Sequence, residues 1–214
     1  MHTIRQKAGS LLLVATLALG TTACVDDIAA PPPAPVLSQV IHYWHFNSLP
    51  AGTLTNVLAD VTKRAPAEIT YPGTGLGYMD NVDPGSDLNA RNGVIAGLGL
   101  RPRNPANVRQ FIIAAPSTGY KSLVVTWAAM RSSSGAIQEE FSYSVDGGTT
   151  WIAVGGPITI TEAWELKSVD LKAITAVENK ANLKFRLMFT GTGSDGSSGN
   201  NRIDNLTIEG IPLA

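Results

Sequence analysis

Residues Ile137–Trp151, IQEEFSYSVDGGTTW, decide the fold. Ile137, Phe141, Tyr143 and Val145 alternate with Gln138, Glu140, Ser142 and Ser144. That period of two is the pattern of a strand with one dry face and one wet face. Asp146-Gly147-Gly148 interrupts it with residue types that tolerate the positive φ of a tight turn. Thr149–Val154 then reads as the returning strand, so the stretch is a β-hairpin.

The same stretch carries Ser144-x-Asp146-x-Gly148-x-Thr150-Trp151, which resembles the Asp-box, a hairpin motif of sialidases and many other secreted β-proteins. One copy without an internal repeat argues against a propeller. The resemblance implies a structural role, with Ser144 and Asp146 capping the turn and Trp151 packing beneath it.

Similar patterns extend to both sides. Tyr120–Met130 is apolar on both faces, with Leu123, Val125 and Trp127 on one and Val124, Ala128 and Met130 on the other, as in a central strand. Leu183–Thr190 points Leu183, Phe185, Leu187 and Phe189 inward and Lys184, Arg186 and Thr190 outward. Val40–Asn47 reads as the first strand, with Trp44 and Phe46 on one face and Ile41 and Tyr43 on the other. Arg202–Glu209 reads as the last, pairing near the first. Leu54–Pro66 reads as loop, Gly73–Asn92 as a long irregular loop of functional or mobile character, and Ala173–Asn182 holds a short helical turn. About ten short strands without a long helix give an all-β fold, a two-sheet antiparallel β-sandwich of the jelly-roll kind.

HYWHFNSLP near the start, SYSVDGGTTW in the middle and GNNRIDNLTIEG near the end resemble secreted bacterial jelly-roll domains of the cleaved-adhesin and MAM-like, concanavalin-like group. The resemblance covers roughly residues 39–211. It implies architecture more than activity, because such folds host lectins, hydrolases and structural modules.

The amino terminus reads as an address. Arg5 and Lys7 precede the apolar run Leu11–Gly20, and Thr21-Thr22-Ala23-Cys24 follows. Residues 1–23 are expected to be a secretory signal peptide, too short in its apolar part to span a membrane. Cys24 resembles the lipidated cysteine of a bacterial lipobox, with Thr21 where leucine is usual. Residues 24–38, with Pro31-Pro32-Pro33 and Pro35, form a semi-rigid tether. The expected domain is 39–214, on an exported protein held to a membrane through a lipid on Cys24.

Composition fits this reading. A net charge of −1 gives no basic excess for nucleic acid, and the single cysteine, Cys24, leaves the domain no internal disulfide. Charged residues are only 15 % while glycines number 21, as expected of many short strands joined by turns.

Strict alternation puts Asp204 on one face with Leu206 and Ile208, where a bare carboxylate would cost several kcal/mol. A structural Ca²⁺ with Asn47 and backbone carbonyls would satisfy it, as would Arg202, Arg186 or Arg131. The oxygen-rich run Asp80–Asn89 lacks the spacing of a calcium loop and reads as turn chemistry. His42 and His45 point to opposite faces and cannot share a zinc ion. Glu139 and Glu140 are adjacent on a strand and cannot form the carboxylate pair of a glycoside hydrolase. No G-x-S-x-G is present, so no catalytic residue is assigned. Tyr78, Tyr120 and Trp164 fall in or beside loops and could stack on sugar rings. The expected function is non-catalytic binding of a cell-surface glycan or adhesion. A structural module within a surface assembly is the alternative.

Overall fold

A computed structural model describes residues 36–213. The signal peptide, Cys24 and all but the last three residues of the tether lie outside the described residues. Fourteen strands run through the described chain. The first six are β1 (Gln39–Trp44), β2 (Asn56–Leu58), β3 (Val61–Thr62), β4 (Glu68–Thr70), β5 (Met79–Val82) and β6 (Gly99–Pro102). Next come β7 (Phe111–Ala114), β8 (Tyr120–Arg131), β9 (Gln138–Ser144), β10 (Ile152–Ala153) and β11 (Ile158–Thr159). The last are β12 (Glu165–Asp170), β13 (Lys184–Thr190) and β14 (Asn201–Pro212). A single 3₁₀ turn, Thr175–Val177, falls in the segment where a helical turn was expected.

The strands form two antiparallel seven-stranded sheets, the β-sandwich that the alternation predicts. The first sheet runs β12-β8-β14-β1-β3, with the β5-β6 hairpin attached to β14 through Ile203↔Leu100. The second runs β10-β9-β13-β7-β4-β2, with β11 on β9. Strand β14 pairs with β1, Val40 opposite Glu209 and Trp44 opposite Leu206, which closes the ends of the chain together as in a jelly roll. Between the sheets lie Trp44, Trp127, Phe111, Phe185 and Phe189, all fully buried. Burying such rings contributes about 2–3 kcal/mol each and is the main driving force here.

The hairpin caps itself as its sequence foretells. Gly147 and Gly148 have φ of 77° and 100°. Asp146 accepts the backbone N–H of Thr149 and Thr150 and the hydroxyls of Ser144 and Thr150, and the Ser144 hydroxyl accepts the Gly148 N–H. These donors, the Thr150 N–H foremost, hold the Asp146 carboxyl well below the usual carboxylate range. The return is shorter than expected, because Thr149 and Thr150 are tied into the turn and only Ile152–Ala153 pair with β9.

Three register shifts interrupt β1 and β14, one of them between Glu209 and Ile211, and the two others re-aim side chains toward or away from the core. One lies between Val40 and His42, so Ile41 joins Trp44 and Phe46 in the core while Tyr43 faces out opposite Thr207. The other lies between Asp204 and Thr207, where Asn205 has a φ of 47°. A bulge inserts one residue and re-aims the side chains around it. Ile203, Leu206 and Ile208 all reach the core, and Asp204 turns to the opposite side.

What Asp204 meets there is the segment after β5. Residues 83–98 lie over the outer face of the first sheet and are pinned to it by polar groups. Asn205 donates to the carbonyls of Ser86 (2.7 Å) and Leu88 (3.0 Å) and accepts the Tyr43 hydroxyl (2.6 Å). Asn89 donates to Thr126, Thr207 and the Asn205 carbonyl, and Arg91 pairs with Glu209. Gly85 is required at the crossing, since a Cβ there would stand 2.5 Å from Asp204 and 2.8 Å from the Leu98 backbone. The long irregular loop expected at 73–92 therefore contains β5 and then enters a fixed cover, and the expected loop at 54–66 contains β2 and β3.

Candidate glycan-binding face

The cover lies on β14 and the adjoining part of β8 and leaves β12 exposed, with Leu166 55 % exposed; a second broad surface is the outer face of the second sheet. Alternation assigns its side chains. On β13 these are Lys184, Arg186, Met188 and Thr190, and on β9 Gln138, Glu140, Ser142 and Ser144. Ile112 and Ala114 of β7, Glu68 and Thr70 of β4 and Leu58 of β2 continue the rows. Arg186 stands near the middle, directly across from Ser142 on one side and Ile112 on the other. Its Nε donates to the Ser142 hydroxyl (3.1 Å) and its Nη1 to the Gln110 side-chain oxygen (3.3 Å). Partial burial lowers its pKa, with Glu140 opposing that effect from nearby.

Trp151 lies against this arginine, its ring centroid 4.4 Å from the guanidinium carbon. The turn that delivers it leaves the ring beside Gly148 and partly exposed. The hairpin motif implied a tryptophan packed beneath the turn; its ring lies beside Gly148 of the turn and also over Arg186 on the outer face of β13. A groove of about 460 Å³ continues the face at one end, lined by Leu58, Glu68, Ala114, Pro116, Asn182 and Lys184 among others. Together the face offers an aromatic ring, a cation, amides, hydroxyls and a carboxylate on rigid strands. That is the chemistry of a site that stacks a sugar ring and reads its hydroxyls.

The three aromatics expected from the sequence do not converge. Tyr120 is buried, 4 % exposed, at the first residue of β8 with Arg64 over its ring. Trp164 precedes β12 at the opposite end of that strand, since Glu165 pairs with Ala129. Nine residues of strand separate those ends, about 30 Å. Trp164 packs toward Gly99, at one end of the β5-β6 hairpin. Tyr78 adjoins the other end, 37 % exposed under Arg103, in a separate hollow of about 550 Å³ with Leu54, Thr70 and Arg109. No common stacking platform is formed by these three.

Asp204 and Asn47 fit a calcium ion poorly. Asp204, 1 % exposed, accepts the Ser86 N–H (2.6 Å) on one oxygen and the Asn205 N–H (2.7 Å) on the other. Among the described residues no arginine reaches it: Arg202 meets Asn200 and Met130, Arg186 lies on the outer face of the second sheet, and Arg131 binds carbonyls and Glu162. Asn47 accepts the Leu98 N–H and donates to the Ile95 carbonyl. Both side chains thus serve to hold the cover, and burial raises the Asp204 pKa to about 7. Among the described residues no cluster of three or more His, Cys, Asp and Glu side chains could hold a metal. EDTA is expected to leave the melting temperature unchanged; a fall of several degrees, restored by Ca²⁺, would contradict this. Asp80, at the start of the oxygen-rich run, is held by Arg101 and Arg103 at 2.8 Å.

No protein-family model and no curated protein matches the chain. Solved structures do. The N-terminal CBM22-1–CBM22-2 tandem domain of Paenibacillus barcinonensis Xyn10C aligns with 85 % of this chain and 48 % of its own, at 10 % identity and a TM-score of 0.51. The likeness is one of fold. The CBM22-1 xylan-binding domain of the same protein aligns at 10 % identity and a TM-score of 0.45, over 67 % of this chain and 87 % of its own. The K2 cleaved adhesin domain of Lys-gingipain aligns at 10 % identity and 0.44, over 72 % and 97 %.

The carboxylates fall as the alternation predicts. Glu140 is exposed on the outer face, where it accepts the Thr190 hydroxyl. Glu139 is fully buried between the sheets, where its Oε2 accepts the Trp127 indole N–H (3.1 Å) and its Oε1 has no partner. The two cannot face one substrate.

Proposed function

We propose that the protein is a non-catalytic glycan-binding module of the cell surface, with its site on the outer face of the second sheet. One observation carries the reading: Trp151 stands partly exposed on an open strand face, fixed by Arg186 among Gln110, Ser142 and Glu140. The fold itself is neutral on this point, because sandwiches of this kind serve many functions. Isothermal titration against a panel of soluble polysaccharides, including xylan, galactan and polygalacturonate, tests it. Trp151→Ala is expected to weaken binding roughly tenfold through loss of ring stacking, with little change in melting temperature. A wild-type protein that binds nothing in the panel, or a variant that binds equally well, would refute the assignment.

The surface location rests on sequence. A leader at 1–23, a lipidated Cys24 and the proline-rich segment to residue 38 would hold the domain off a membrane. In cells given an alkyne-tagged fatty acid, the wild-type chain is expected to take up the label and Cys24→Ser to lose it. An unlabelled wild-type chain would remove the anchor from the reading.

A further inference from the structure

The outer face of the second sheet carries two cations without carboxylate partners. Arg186 donates only to neutral oxygens, those of Ser142 and Gln110, and its Nη2 has no partner among the described residues. Lys184 follows two residues earlier on the same face, with its ammonium beside Gly148, where Trp151 also lies. Neither cation enters an ion pair among the described residues.

Two carboxylates share the face, and each is engaged elsewhere. Glu140 lies on β9 opposite Met188 and accepts the Thr190 hydroxyl; it is near enough to act on Arg186 through space but forms no ion pair with it. Glu68 is two strands from Lys184, beyond Ala114, and accepts the Asn56 amide. A partly buried guanidinium whose hydrogen bonds go only to neutral oxygens keeps its capacity for a strong, charge-assisted pair. Packing against the indole fixes its plane, so less side-chain freedom is lost when an anion arrives.

We propose that Arg186 and Lys184 select an anionic glycan, one whose sugar carries a carboxylate or sulfate that lodges beside the ring stacked at Trp151. This rests on the glycan-binding reading of the same face and names the ligand class within it.

The test uses matched probes. Polygalacturonate is compared with its carboxyl-reduced form, which keeps the chain and loses the charge, and with a sulfated galactan. Wild-type protein is expected to bind at least one anionic polymer roughly 10- to 100-fold more tightly than the neutral one, the size of a charge-assisted hydrogen bond. Arg186→Gln, and separately Lys184→Gln, should weaken binding of the anionic polymer more than that of the neutral one, so that the ratio shrinks, with the melting temperature little changed; Arg186→Gln, which also frees the Trp151 ring, is expected to weaken neutral binding as well. A carboxylate or a sulfate preference identifies the anion. A neutral polymer bound as tightly as both anionic ones overturns the inference and leaves glycan binding standing. Absence of binding to all three, and to the wider panel, removes both.

Discussion

Asn205→Leu is expected to cost roughly 5 kcal/mol of folding stability, because it strips several buried hydrogen bonds at once and forces a branched residue into positive φ. The amide is the clasp of the 83–98 cover: it holds the carbonyls of Ser86 and Leu88 and takes the Tyr43 hydroxyl. Leucine leaves those three groups buried without partners, at about 1–3 kcal/mol each. Asparagine is one of the few side chains that tolerates the 47° φ found there. Urea denaturation would give the loss, and hydrogen exchange would show amides from Ser86 to Leu98 losing protection first. Asn205→Gly separates the causes, since it keeps the backbone conformation and lacks the amide. A loss under 1 kcal/mol for leucine, with the segment still protected, would show that the cover is held by other means.

The second large effect concerns Glu139. Burial raises its pKa from 4.5 to about 7, against the pull of the Trp127 N–H and of Lys167. A carboxyl that holds its proton more tightly folded than unfolded favours folding fully below pH ~4.5, and that contribution is lost as pH rises through about 7. Between those limits the loss amounts to about 3 kcal/mol. Glu139→Gln keeps an oxygen for Trp127 and cannot ionise. It is expected to match the wild type near pH 4 and to exceed it near pH 8 by that amount, roughly 10 °C in melting temperature for a domain of this size. Asp204 titrates over the same window and leaves a residual slope in the variant. Equal melting temperatures at pH 8 would mean that Glu139 is neutralised in some other way.

The strands were legible wherever one face stayed dry over six or more residues. Lys184–Thr190 and Tyr120–Arg131 appear within a residue of their expected bounds, and the pairing of the last strand with the first follows from jelly-roll closure. Asp204 was misplaced because alternation assumes an unbroken pleat, and nothing in RIDNLTIE marks the extra residue at Asn205. The short β2 and β3 carry too few residues for a period to register. The candidate face was illegible for a different reason. Trp151 and Arg186 are 35 positions apart in the chain, and only the pairing of β9 with β13 makes them neighbours. Alternation states which side a residue takes, not which strand lies beside it. Tyr78, Tyr120 and Trp164 fall in or beside loops by sequence, whereas the aromatic on the exposed face follows directly from a capped turn.

The position of β14 has a consequence for how the chain reaches this state. The last strand of the sequence lies inside the first sheet, bonded to β8 on one side and to β1 and β6 on the other. Until it arrives, β1 and β8 have no shared neighbour and the cover has nothing to clasp. Loop closure across nearly the whole domain must come first, so folding is expected to be slow and to begin only once β14 is available. Were the chain exported, as its leader is read to direct, that delay would leave it unfolded and threadable during the crossing.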